Sequence, residues 1–207
     1  SRASRGTNVK TLLAISPNEE IATVASLSEF SEKTYFFMST VKGVVKKVKT
    51  AEFANAKTRG IVAIKLDEGD KLVSAMLTKG SDELVLATRR GLALRFAESA
   101  VRPMGRASRG VTGIRLGKGD ELAGMAAVEK GAQLFLITEN GFGKQVEFEA
   151  FVRHGRGTRR TGGRTGCRAR RGSGRHLHRL EAELALGEPR RRLDPPALQQ
   201  ADQGVDR

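Results

Sequence analysis

The sequence predicts an all-β fold, a propeller-like disc of four-stranded antiparallel blades arranged as an incomplete ring. Three observations predict it. The stretch Arg59–Val73 returns at Arg109–Ala123, matching at Arg, Gly, Ile, Leu, Gly, Asp and Leu without a gap. A period of about fifty residues is the signature of a repeat architecture. Each unit carries a short continuous apolar run (Phe36 to Met38, Leu84 to Leu86, Leu134 to Leu136), the pattern of a strand buried on both faces and here assigned to the inner strand of a blade. After each run come a threonine and then a glycine (Thr40 and Gly43, Thr88 and Gly91, Thr138 and Gly141), where glycine suits the positive φ of a hairpin turn.

The units follow in order. Residues 1–27 read as the end of a truncated blade: Arg5-Gly6 stands for the motif Arg-Gly, an apolar run reaches Ile15, and Ser16–Glu20 replaces the Gly-Asp turn. Because the chain opens at Ser1 in mid-pattern, it reads as a fragment. Residues 28–80 are a full blade. Tyr35–Met38 and Val44–Val48 form its hairpin, Phe53 anchors a loop, and the motif supplies two further strands hinged at Glu68-Gly69-Asp70. Residues 81–131 repeat this, with Phe96 and Val101 in the places of Val48 and Phe53 and a loop, Arg102–Arg109, two residues longer. Residues 132–157 are the first half of a blade, in which Arg156-Gly157 is assigned to the Arg-Gly slot.

After Gly157 the pattern stops. From Phe151 to Arg207 there are fourteen arginines and no lysine, whereas residues 1–150 mix the two. Residues 1–150 carry 23 basic and 17 acidic groups (net +6) and the remainder 14 and 6 (net +8), which recovers the total of +14. A stretch rich in arginine and glycine without periodicity is what a GC-rich gene gives when translated out of frame. The alternative is a disordered basic tail that engages nucleic acid.

The charge of +14 points to a polyanionic partner. No run of eighteen apolar residues exists, so no membrane span is predicted. A single cysteine, Cys167, excludes an internal disulfide framework and fits a reducing compartment. With no tryptophan and one tyrosine, Tyr35, base stacking on aromatic rings is not supported. Catalytic constellations are missing: all three histidines (His154, His176, His178) lie beyond the full units, and Asp67, Glu68 and Asp70 belong to a turn. Neither a metal site nor a phosphate-binding glycine loop is predicted, and Gly69-Asp70 is read as structural.

Basic residues recur at equivalent slots. Arg59, Arg109 and Arg156 precede the motif glycine, Lys65 matches Arg115, and Lys47 matches Arg95. Turns and return strands add Lys42, Lys46 and Lys49, then Arg89 and Arg90, then Lys144; loops add Lys57, Arg102 and Arg106. A charge repeated per blade becomes a belt around a disc. Such a belt neutralises phosphates without reading sequence, each contact contributing about −0.9 to the salt slope on B-DNA.

The runs Thr40–Val48, Val62–Asp70 and Gly110–Asp120 resemble the C-terminal repeat domain of the bacterial DNA gyrase A subunit, and the likeness covers about residues 2–157. It implies a six-bladed β-pinwheel that wraps duplex DNA and directs ATP-dependent negative supercoiling by a holoenzyme with two B subunits and a second A subunit. It also implies a non-catalytic segment of a type II topoisomerase, cytoplasmic and chromosome-associated. No cofactor is expected here, ATP and Mg2+ serving the parent enzyme elsewhere. The basic box that marks gyrase belongs to a first blade absent from this sequence, so the A subunit of topoisomerase IV is the nearest alternative. A propeller used as a protein-interaction platform is the alternative from another class.

Overall fold

The computed structural model describes residues 6, 11, 15, 19–56, 60–138 and 141–158, and the backbone of 180–181. Each unit opens with a hairpin. β1 (Tyr35–Thr40) pairs with β2 (Val44–Lys49), and the Thr-x-x-Gly tip closes itself. Gly43 N–H donates to Thr40 O at 2.9 Å with φ +77°, and Val44 N–H donates to Thr40 Oγ1 at 3.2 Å. Thr88 and Thr138 accept from Leu92 and Phe142 in the same way, at 3.1 and 3.2 Å. The second and third hairpins are β4 (Glu83–Thr88) with β5 (Ala93–Ala97), and β8 (Gln133–Thr138) with β9 (Gly143–Glu147).

The strand after each Gly-Asp turn returns to its own hairpin. β3 (Leu72–Thr78) pairs antiparallel with β1, and β7 (Leu122–Ala127) with β4. The apolar runs are therefore central strands flanked on both edges, rather than inner edge strands. The edge strands that meet between sheets are β3 and β7.

The expectation that one unit supplies all four strands of its blade is corrected. The four-stranded sheet has the order β3-β1-β2-β6, and β6 (Val111–Thr112) comes from the second unit, with Val45 opposite Val111 and Val44 opposite Thr112. The glycines explain why it fits. A Cβ on Gly110 would lie 2.7 Å from Val45 O, and one on Gly113 would lie 2.4 Å from Val45 Cγ1, so only bare backbone seats there. The motif of the first unit has no such seat among the described residues; residues 61–67 form no strand, and Val62 is 63 % exposed. The second sheet, β5-β4-β7, is three-stranded. In the third, Leu180–Glu181 (β10) pairs with β8; the rest of 159–207, including the basic tail and both readings of it, lies outside the described residues.

The core lies between neighbouring sheets. Leu84 and Leu86 of β4 point toward the first sheet, where they meet Phe37, Val45 and Ile114. Val85 and Ala87, on the opposite face of the same strand, meet Leu134, Leu136 and Phe148. Phe37 and Phe96 pack as a tilted pair with centroids 6.2 Å apart.

Register also moves Arg156. Ser108 Oγ donates to Gly105 O at 2.8 Å, and Thr158 Oγ1 donates to Gly155 O at 3.1 Å. Gly155-Arg156-Gly157-Thr158 is thus the counterpart of Gly105-Arg106-Ala107-Ser108. Arg156 occupies the slot of Arg106 rather than that of Arg109, which falls in sequence on Arg159.

Candidate nucleic-acid interface

Two repeated cations turn inward. Lys46 is fully buried, and its ammonium donates to Ala63 O at 2.9 Å, to Ser108 O at 2.8 Å and to Arg106 O. All three ammonium hydrogens are engaged, which removes Lys46 from a DNA-facing rim. Burial pushes its pKa below the ordinary value, with the Glu52 charge opposing that shift. Lys47 is 4 % exposed; its Nζ lies 3.4 Å from Glu98 O, 3.6 Å from Glu98 Oε1 and 4.9 Å from the centre of the Tyr35 ring. The Glu98 carboxylate also accepts from Thr78 Oγ1 at 2.7 Å and from Gly80 N–H at 2.9 Å.

Arg95, the counterpart of Lys47, works alike. Its Nη1 donates to Phe148 O at 2.8 Å and its Nε to Glu83 Oε2 at 2.8 Å. Glu98 and Phe148 each open the 3-10 turn of the following unit, at Glu98–Ala100 and Phe148–Ala150. Lys47 and Arg95 are therefore clamps from one unit to the next. Their charge repeats because the contact between units repeats.

Other candidates are partly occupied. Arg156 is exposed yet docked on Ala100 O at 2.8 Å and Thr112 O at 3.4 Å. Arg89 pairs with Glu121 at 3.1 Å, and Lys49 with Glu32 at 2.5 Å. Arg106 is half-buried, its N–H donating to Glu52 Oε2 at 3.2 Å. Lys144 is exposed in β9, but opposite Leu136 it holds the register position that Lys46 holds opposite Met38. Lys57 and Arg59 lie outside the described residues.

The Gly-Asp turns position the hairpin tips. Asp70 Oδ1 accepts from Lys42 N–H at 3.0 Å and Lys71 N–H at 2.9 Å; Asp120 Oδ1 accepts from Arg90 N–H at 3.1 Å and Glu121 N–H at 2.9 Å. These aspartates are structural, as their place in the motif implies. Side chains at the tips lean over the same turns, Lys42 Nζ on Glu68 O at 2.5 Å and Arg90 Nη1 on Lys118 O at 2.8 Å.

What remains outward-facing gathers where consecutive units join. Lys65 and Arg115 are exposed, and their backbones sit in equivalent places: Lys65 N–H donates to Ser108 O at 3.0 Å, and Arg115 N–H to Thr158 O at 3.3 Å. Each motif cation is held beside the arginine loop of the next unit. In that loop Arg102 and Arg109 are exposed, the latter paired with Asp67 at 2.5 Å. Pairing by offset in the sequence could not expose this juxtaposition, because it joins residues of different units. It also passed over Glu98, whose charge stands where the first unit has the buried Thr50, and Lys118, which replaces Glu68. Among the described residues no group of three metal-ligating side chains occurs, and no helix is long and apolar enough to cross a membrane.

Comparison with known proteins agrees with this architecture. The family model described as DNA gyrase C-terminal domain, beta-propeller, matches residues 34–79, 82–129 and 132–159. The DNA gyrase A subunit of Treponema pallidum (strain Nichols) is 56 % identical over 107 residues, 52 % of this chain and 13 % of that protein. Its counterpart in Clostridium acetobutylicum is 46 % identical over 105 residues, 51 % of this chain and 13 % of its own length. The chain thus spans about an eighth of these relatives. Among solved structures, the C-terminal domain of a DNA topoisomerase IV matches with TM-score 0.69 and 29 % identity, over 74 % of this chain and 48 % of that one. A DNA gyrase A C-terminal domain matches with TM-score 0.67 and 24 % identity, over 76 % and 52 %. The family match runs two residues past Gly157, to the residue that the corrected register aligns with Arg109. With its three repeats matched over more than half of its length, the chain belongs to the DNA gyrase C-terminal domain family.

Proposed function

We propose that this chain binds duplex DNA through the phosphate backbone, without reading sequence, and wraps it along the junctions between units. The observation that carries this reading is the equivalence of Lys65 and Arg115. Both are exposed, and both have their backbone fixed against the next unit's arginine loop. Cations repeated at fixed intervals along a curved array suit a bent duplex, where many contacts offset a bending cost of several kcal/mol. Arg102 and Arg109 extend the patch at Lys65, and Lys42 and Arg90 add charge at the hairpin tips.

In the parent enzyme the wrap would present one DNA segment to the cleavage machinery with a fixed handedness, directing ATP-dependent negative supercoiling. Two B subunits and a second A subunit complete that holoenzyme in this reading, ATP and Mg2+ act elsewhere in it, and the cytoplasm is its compartment. The match to a topoisomerase IV C-terminal domain supports a second reading, in which the same surface holds DNA without a directed wrap. Nicked circular plasmid sealed by ligase in the presence of the chain distinguishes them. Directed wrapping shifts the linking number of the sealed circles in one direction, and an unshifted distribution contradicts it.

A further inference from the structure

We infer that Asp67 is an electrostatic brake on Arg109, lowering the DNA affinity of the first junction relative to the second. This rests on the DNA-binding reading and deepens it. The Arg109 guanidinium, 62 % exposed, is paired at 2.5 Å with the Asp67 carboxylate, 37 % exposed. A phosphate approaching Arg109 competes with a carboxylate already in place. The partners come from different units, so the pair sits inside the composite patch formed with Lys65, whose N–H is anchored on Ser108 O.

The second unit carries no such group. Asp67-Glu68-Gly69 becomes Gly117-Lys118-Gly119, so a turn with two negative charges is replaced by one with a single positive charge. That turn lies beside exposed Arg90, and the same segment carries exposed Arg115. Equivalent backbone therefore bears opposite charge at successive junctions, and the surface grades from a damped patch to an open one. The Asp67 side chain has no other described partner, and its role in the turn is carried by its backbone, Asp70 N–H donating to Asp67 O at 3.0 Å. An Asp67→Asn change alters the brake and spares the turn.

The test measures duplex affinity of the full chain across a salt series for wild type, Asp67→Asn, Arg109→Ala and the double variant. Asp67→Asn binds tighter, by up to about fivefold at low salt, the range of an exposed ion pair. Its salt slope steepens by about 0.9, one additional phosphate contact. In the Arg109→Ala background the same change gives no gain. Salt-dependent wild-type binding without a gain in Asp67→Asn overturns the brake alone. A gain that persists without Arg109 assigns the effect to bulk charge and also overturns it. Absence of salt-dependent binding by wild type overturns the DNA reading, and the brake with it.

Discussion

The ammonium of Lys46 reaches 2.8 Å to the carbonyl oxygen of Ser108, a residue of the following unit. With Ala63 O and Arg106 O it makes a cage of three acceptors from two units around one buried charge. Replacing Lys46 with methionine keeps most of its packing and leaves those carbonyls without their donor, which costs about 2 kcal/mol. Denaturant unfolding should show a lower midpoint at unchanged slope. Unchanged stability would mean that water replaces the ammonium freely.

The same lysine gives a pH dependence. Its folded pKa is lowered by burial from the ordinary 10.5, so between the lowered value and 10.5 the unfolded chain holds the proton more tightly. Unfolding free energy then rises with pH through that window. The difference in stability between wild type and Lys46→Met should grow in favour of wild type as pH climbs toward 10.5. A difference flat in pH contradicts the assignment.

Asp120→Ala removes the shared acceptor of Arg90 N–H and Glu121 N–H. A hydrogen bond contributes about 0.5–1.5 kcal/mol net, so losing two predicts a loss of about 2 kcal/mol by thermal or denaturant unfolding. A loss below about 0.5 kcal/mol would show that the tip closes on Thr88 alone.

The fold was legible in the sequence wherever the chain acts locally. Thr40, Gly43 and Asp70 close their hairpins within one unit, so residue type and spacing suffice to recognise them. The exchange of β6 was not legible, because Val111–Thr112 satisfies any apolar edge of the right length. Only the missing Cβ atoms of Gly110 and Gly113 hint at a close seat. The site suffered from the same blindness. Lys47 and Arg95 repeat as regularly as Lys65 and Arg115, yet the first two, together with Lys46, hold units together and the last two face outward. Repetition signals an equivalent environment, and a junction between units is as repetitive as a binding surface. A set of changes that includes Lys46 and Lys47 is accordingly expected to destabilise the fold, instead of leaving it intact as a purely exposed set would.

The central claim is that Lys65 and Arg115 contact DNA while the buried lysines do not. It is tested most directly by the salt dependence of duplex affinity for wild type and Lys65→Ala/Arg115→Ala. Removing two phosphate-neutralising cations, at about 0.9 each, predicts a slope shallower by roughly 1.8, with weaker binding at low salt. Stability should stay within about 0.5 kcal/mol of wild type, as for exposed substitutions. A slope unchanged by the double substitution would contradict the account.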